Sequence, residues 1–186
     1  MKIAVRESAA LVVNELSHAT ADIDWAPWEG LPGLIARADV IFAIGNGRSG
    51  LALRMAAMRF MHLGKAVHVV GETTTPAIQA ANLLLAVSGS GKTDTVIRAA
   101  EVAANRGAVV AAITAGAESP LAQVAGHVLL IPAAEKTDRS GGKSGQYAGT
   151  LFEQVTLVLL DAVFHTLWLD SGASADQMYL RHANLG

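Results

Sequence analysis

The chain has 186 residues, enough to bury one substantial core, and no linker-like stretch divides it, so a single domain over residues 1–186 is expected. A net charge of −2 supplies no electrostatic reason to hold nucleic acid, and the absence of cysteine excludes disulfides, thiolate metal sites and cysteine nucleophiles together. At 52% hydrophobic and 16% charged the chain is apolar for a small domain; its longest apolar segment, 151–169, is interrupted by Glu153, Gln154, Asp161 and His165, which points to helix faces buried between subunits rather than to a membrane span.

Residues 2–20 place Ile3, Val5, Ala9, Val12, Val13 and Leu16 at near-helical spacing, which predicts an amphipathic opening helix. Arg6, Glu7, Asn14 and Glu15 break its apolar run, so it lacks the centre of a secretory signal and a cytoplasmic protein is expected. In "DIDWAPWEGLPGLIARA" Pro27 and Pro32 read as breakers, leaving a short helix over 33–37. Five short, nearly continuous apolar runs follow, at 39–45, 66–70, 83–88, 108–114 and 127–131. Strands covered on both faces read this way. Between them lie helix-compatible segments at Ser49–Leu63, Thr93–Arg106 and Ser119–Val124, with Gly64 and Gly107 placed to close two of them. Strand and helix alternating in this manner predict a doubly wound α/β fold, a five-stranded parallel sheet between two helical layers. Residues 132–149 are polar and Gly-rich and read as a loop. A long helix from Tyr147 to Asp170 and a short one over Ala173–Arg181 close the chain, packing on the core and between subunits. Met55, Met58, Met61, Arg54 and Arg59 read as helix packing and interface positions.

Two strand-to-helix turns carry the chemistry. "GNGRSG" (45–50) follows the first strand and "SGSGKT" (88–93) the third. Gly47, Gly89 and Gly91 allow close backbone approach, Ser49, Ser88, Ser90 and Thr93 supply hydroxyls, and each helix N-terminus favours an anion. Ser and Gly are also the default residues of tight βα turns, so one such turn says little; two point to a phosphate site. A nucleotide P-loop is excluded by spacing, because its first Gly would fall on Ala86. A dinucleotide fingerprint lacks its acidic residue at the end of the second strand, where Glu72 comes only beyond a Gly. Arg48 either helps hold the phosphate or pairs with a nearby carboxylate, and Lys92 adds positive charge at the same end.

The two turns together with a later acidic residue on a C-terminal helix resemble the SIS (sugar isomerase) domain family. "AMRFMHLGKAVHVVGETTTPAI" (57–78), "TLFEQ" (150–154) and "RHANL" (181–185) resemble its 6-phospho-3-hexuloisomerase branch over nearly the whole chain. The resemblance implies a reaction interconverting D-arabino-hex-3-ulose 6-phosphate and D-fructose 6-phosphate in the ribulose monophosphate pathway of formaldehyde fixation. It implies a homotetramer or homodimer, a phosphorylated sugar as the only partner, and no metal or organic cofactor. It assigns Ser49, Ser88, Ser90 and Thr93 to the phosphate, Glu153 to catalysis, and His182 to a second catalytic role, either within its own chain or donated by a neighbouring subunit. Gly47, Arg48, Gly89 and Gly91 are weaker substrate contacts. The chain departs from the family at Lys92, where an acid is usual, at Asn82, where Asp is usual, and at "QYAG" (146–149), which replaces a Pro-hydrophobe-Gly element.

The chemistry suits those assignments. Moving a carbonyl from C3 to C2 through an enediol needs one partly dry base that serves two adjacent carbons. Glu153, flanked by Leu151, Phe152 and Val155, has apolar neighbours, although a Glu in a helix's first turns is equally expected from the macrodipole. Of six histidines, His18, His62, His68, His127 and His165 fall inside predicted elements, where a hydrogen-bonded structural role is the default, and none has metal-ligand spacing. His182 stands apart at the C-terminal end. An isomerase for another phosphosugar and a noncatalytic phosphosugar sensor are the competing readings, but the chain carries no helix-turn-helix or basic extension to go with the second.

Overall fold

The computed structural model describes residues 4–134 and 144–185, so part of the expected 132–149 loop and the first residues of the opening helix lie outside it. Five strands, β1 (Val40–Gly45), β2 (Ala66–Val69), β3 (Leu83–Val87), β4 (Val109–Thr114) and β5 (His127–Leu130), form one parallel sheet in the order β2-β1-β3-β4-β5. All five expected strands are present and parallel. β3 is buried along its whole length because its side chains alternate into two separate cores. Leu83, Leu85 and Val87 pack under α1 (Val5–Ala21), α2 (Trp25–Arg37), α3 (Gly47–His62) and α6 (Thr150–Ser171). Leu84 and Ala86 face the other way, toward α4 (Asp94–Asn105) and α5 (Pro120–Val124). A last short helix, α7 (Ala175–Tyr179), opens on a capping box between Ser174 and Gln177.

The first prolines do not break the chain as expected. Trp25 to Arg37 is one helix, with Asp24 capping the Ala26 amide at 3.2 Å. Pro27 lies in the first turn, where an N–H has no helical partner, and Pro32 removes one interior hydrogen bond. Burial of Trp28, Leu31 and Ile35 along one face offsets that loss, and the Trp28 indole donates to the Leu130 carbonyl at 3.3 Å. The long helix also starts later than Tyr147. Ala148 adopts a left-handed φ of 52° and Gly149 is the N-cap, so helical geometry begins at Thr150. By length and composition α6 alone among the described helices could cross a bilayer, yet it buries Leu151, Phe152, Val155, Leu159, Leu160 and Val163 in the core beside α3.

β1 and β3 are paired from Ile41↔Leu83 to Gly45↔Val87, so their carboxyl ends lie level. Chain order reverses between these two strands. In an open α/β sheet that switch point leaves a crevice beyond the strand ends, where ligands bind.

Candidate active site

Both glycine turns open onto this crevice. Gly47, at φ 58°, starts α3 directly after β1, and the turn after β3 runs through Gly91, at φ 62°, into α4. A Cβ at Gly91 would lie 2.0 Å from Ser119 Oγ, so both backbone angle and space require glycine there. The Ser88 and Thr93 hydroxyls share a 2.8 Å hydrogen bond across the loop, and the Lys92 amide donates to Ser90 Oγ at 3.2 Å. Ser49 and Ser88 are buried, Ser90 and Thr93 half-buried, and Lys92 exposed. Asn46 ties the two turns together, its Nδ2 donating to Thr95 Oγ1 at 2.8 Å. The four hydroxyl residues thus sit on the turns or first helical turns that follow the level carboxyl ends of β1 and β3, where the N-termini of α3 and α4 suit an anion.

α6 brings the carboxylate. Its Phe152 ring packs so closely on the second turn that a Cβ at Gly89 would lie 3.2 Å from it. One residue on, Glu153 is buried, with its side chain 7% exposed, and it accepts a hydrogen bond from Arg48 Nε at 2.5 Å. Arg48 itself remains 64% exposed. Of the two roles open to Arg48, the carboxylate pairing is the one formed. Glu153, the first turn and the second turn thus meet at one place, although they lie 105 residues apart from end to end.

His182 is not there. Its ring stacks on His62 at the far end of α3, with centroids 4.0 Å apart. Arg48 and His62 are separated by about 20 Å of helix at 1.5 Å per residue, so one chain does not bring Glu153 and His182 together.

Supporting residues emerge that the sequence pattern did not single out. Buried Thr114 donates to the Gly89 carbonyl at 3.3 Å and accepts the Gly116 amide, bracing the second turn from β4. Glu15 of α1 accepts from Ser144 Oγ, the Gly145 amide and Gln146 Nε2 at 2.7, 2.6 and 3.0 Å, pinning the approach to α6. Burial alone would raise the Glu15 pKa, but these hydrogen bonds outweigh it and hold the carboxyl below its ordinary value. Their only sequence signal is a polar residue on a helix or strand that faces a loop. Asn82 is also structural: its Oδ1 takes the Gln79 amide at 2.7 Å in the turn before β3. Glu72 pairs with Arg54 at 2.9 Å on the surface beside β2.

This fold, with an anion-suited crevice at the switch point and a buried carboxylate beside it, is that of a sugar isomerase domain: the chain belongs to the SIS domain family, whose model matches residues 34–166. Within that family it is similar to the 3-hexulose-6-phosphate isomerases. It is 48% identical over 181 residues to that of Mycobacterium gastri, spanning 97% of this chain and 91% of the relative. To that of Bacillus subtilis it is 37% identical over 180 residues, spanning 96% and 97%. Among solved structures, a hypothetical protein of Methanococcus jannaschii for which a 3-hexulose-6-phosphate isomerase function has been inferred matches with a TM-score of 0.82. That match has 30% identity and covers 97% of this chain and 99% of the other.

Proposed function

We infer that this chain is a 3-hexulose-6-phosphate isomerase, converting D-arabino-hex-3-ulose 6-phosphate to D-fructose 6-phosphate in the ribulose monophosphate pathway, with Glu153 carrying the proton. The observation that supports Glu153 most directly is its buried carboxylate, paired with Arg48 of the first turn and one residue from the Phe152 ring that packs on the second. The phosphate is held by Ser49, Ser88, Ser90 and Thr93 at the ends of α3 and α4. Glu153 removes the C2 proton, the C2 carbon–hydrogen electrons form the C2–C3 double bond of a cis-enediol, and the C3 oxygen takes up a proton, balanced by the one the C2 hydroxyl releases when it becomes the carbonyl. Collapse of the enediol makes the C2 carbonyl as Glu153 returns its proton to C3 on the same face. Arg48 holds the carboxylate oriented during both transfers.

The second residue comes from another copy of the chain. α3 and α6 run parallel, since Arg48 meets Glu153 at one end and Arg59 lies 5.8 Å over the Phe164 ring eleven residues further along both. α3 exposes Leu51, Met55 and Met58 at i, i+4 and i+7, and α6 exposes Val158. One turn before Val158, Gln154 Oε1 is buried without a hydrogen-bond partner among the described residues. A two-fold axis through this stripe covers it and sets the Glu153 end of one protomer against the His182 end of its partner. His182 then polarises the carbonyl or assists ring opening across the interface.

The test is proton exchange. Fructose 6-phosphate incubated with the protein in D₂O is expected to gain deuterium at C3 and to yield the 3-ketose. Glu153→Gln is expected to slow both by about 10²-fold or more while still binding the sugar phosphate. A wild-type protein that binds but neither exchanges nor converts overturns the isomerase reading in favour of a sensor.

A further inference from the structure

We propose that His62 is the positioning residue for His182, holding the C-terminal tail so that the His182 ring is presented to the partner's site. The proposal rests on the reading of His182 as part of that site. His62 closes α3, and only 3% of it is exposed. Its ring forms a platform on which the exposed His182 ring lies, with centroids 4.0 Å apart and planes at 28°. Its carbonyl is used as well: Arg181 Nη1 donates to the His62 oxygen at 3.2 Å. Two successive residues of the tail thus grip one residue of α3 by its ring and its backbone. Gly64 makes room for the grip, because a Cβ there would lie 3.3 Å from Arg181 Nη2. Tyr179 flanks the stack from the tail, its ring centroid 5.2 Å from that of His182.

The stack lies on the wall of a cavity of about 400 Å³ between α3, α6 and α7. The titratable and charged groups around it are Arg59 from α3, Asp161 and His165 from α6, and Tyr179 and Arg181 from α7 and the tail. Burial, the His182 imidazole and Arg59 push the His62 titration below the ordinary imidazole range. His62 is therefore a neutral, flat surface at neutral pH, which seats a second imidazole without charge repulsion.

Three measurements on the full-length protein decide the proposal. In an NMR titration, His62 is expected to titrate low in the wild type and to move toward the ordinary value in His182→Ala, which removes one of the groups that depress it. His62→Ala is expected to lower kcat about tenfold or more with KM nearly unchanged, since small misplacements of a catalytic group carry costs of that order. His62→Phe, which keeps a flat ring, is expected to recover most of that loss. In the His182→Ala background His62→Ala should add nothing further. An unmoved His62 titration, or an equal loss from His62→Ala with and without His182, overturns the proposal. Should His62→Ala not fold, the His182→Ala titration and the His62→Phe kinetics still decide it. Full activity of His182→Ala removes the reading of the tail as part of the site and the proposal with it, whereas an absent stack in an enzyme that needs His182 removes the proposal alone.

Discussion

Gly50→Ala tests how the first turn is held in place. Gly45 closes β1 and Gly50 lies in the first turns of α3, so their backbones touch. A Cβ built on Gly50 would fall 2.2 Å from the Gly45 carbonyl oxygen and 2.7 Å from its carbon. Both are backbone atoms and cannot swing aside as a side chain would. Ordinary carbon–oxygen contact begins near 3.3 Å, so α3 and β1 must separate by about 1 Å. Overpacking of this kind costs roughly 1–3 kcal/mol. At roughly 2–4 °C per kcal/mol for a chain of this size, the melting temperature should drop by roughly 2–12 °C. The displacement also carries Arg48 and Ser49 with it, and a 1 Å misplacement can cost about 10²-fold in rate. The assay pairs a calorimetric melt with isomerase kinetics on fructose 6-phosphate. Gly126→Ala is the control, because nothing lies within 4 Å of a Cβ there. A Gly50→Ala protein with the wild-type melt and wild-type kcat/KM refutes the claim that this contact fixes the site.

Two further outcomes follow from the site. Lys92 is exposed in the second glycine turn, between Ser90 and Thr93; Lys92→Glu should raise KM for the sugar phosphate about two- to fivefold with little change in kcat, as expected for a screened surface charge, and unchanged constants would sink the role. The folded-state pKa of Glu15 is depressed, so its contribution to stability is present above the unfolded carboxyl pKa and is lost as pH falls through the folded value. Denaturation followed from pH 6 down to pH 3 should therefore show a shallower loss for Glu15→Ala than for the wild type, with faster exchange of the Gly145 amide at pH 6; identical pH slopes would contradict it.

The strands were legible because a strand buried on both faces needs no alternation and reads as an unbroken apolar run. The two turns were legible for a similar reason, since Gly91 occupies a position where neither another backbone angle nor a side chain fits. What local pattern misses is tertiary. Pro27 and Pro32 carry a strong local signal against a helix, and the burial of Trp28, Leu31 and Ile35 overrides it. Glu15 looks like one more polar position on an amphipathic helix until residues 144–146 close on it from 129 to 131 positions away. Arg48 could be read two ways because its partner lies 105 residues further along. His62 was assigned a structural role by default, and only the placement of the tail sets a second imidazole on its face.

The separation of Glu153 from His182 follows from the sheet itself. α3 leaves the carboxyl end of β1 and crosses back to start β2, the right-handed crossover that parallel strands require. α6 packs beside it in the same direction, with its N-terminus at the same edge of the sheet. Two parallel helices put both N-termini at the crevice and both C-termini away from it. Glu153 is thereby delivered to the glycine turns, and the tail that follows α6 begins at the opposite end, where His62 receives it. Had α3 and α6 packed antiparallel, carboxylate and imidazole would share one end. Parallel packing makes the two halves of the proposed site complementary ends of one helical face. The apolar stripe of Leu51, Met55 and Met58 lies midway along that face, where the two-fold axis proposed above would exchange the ends and complete two sites at once.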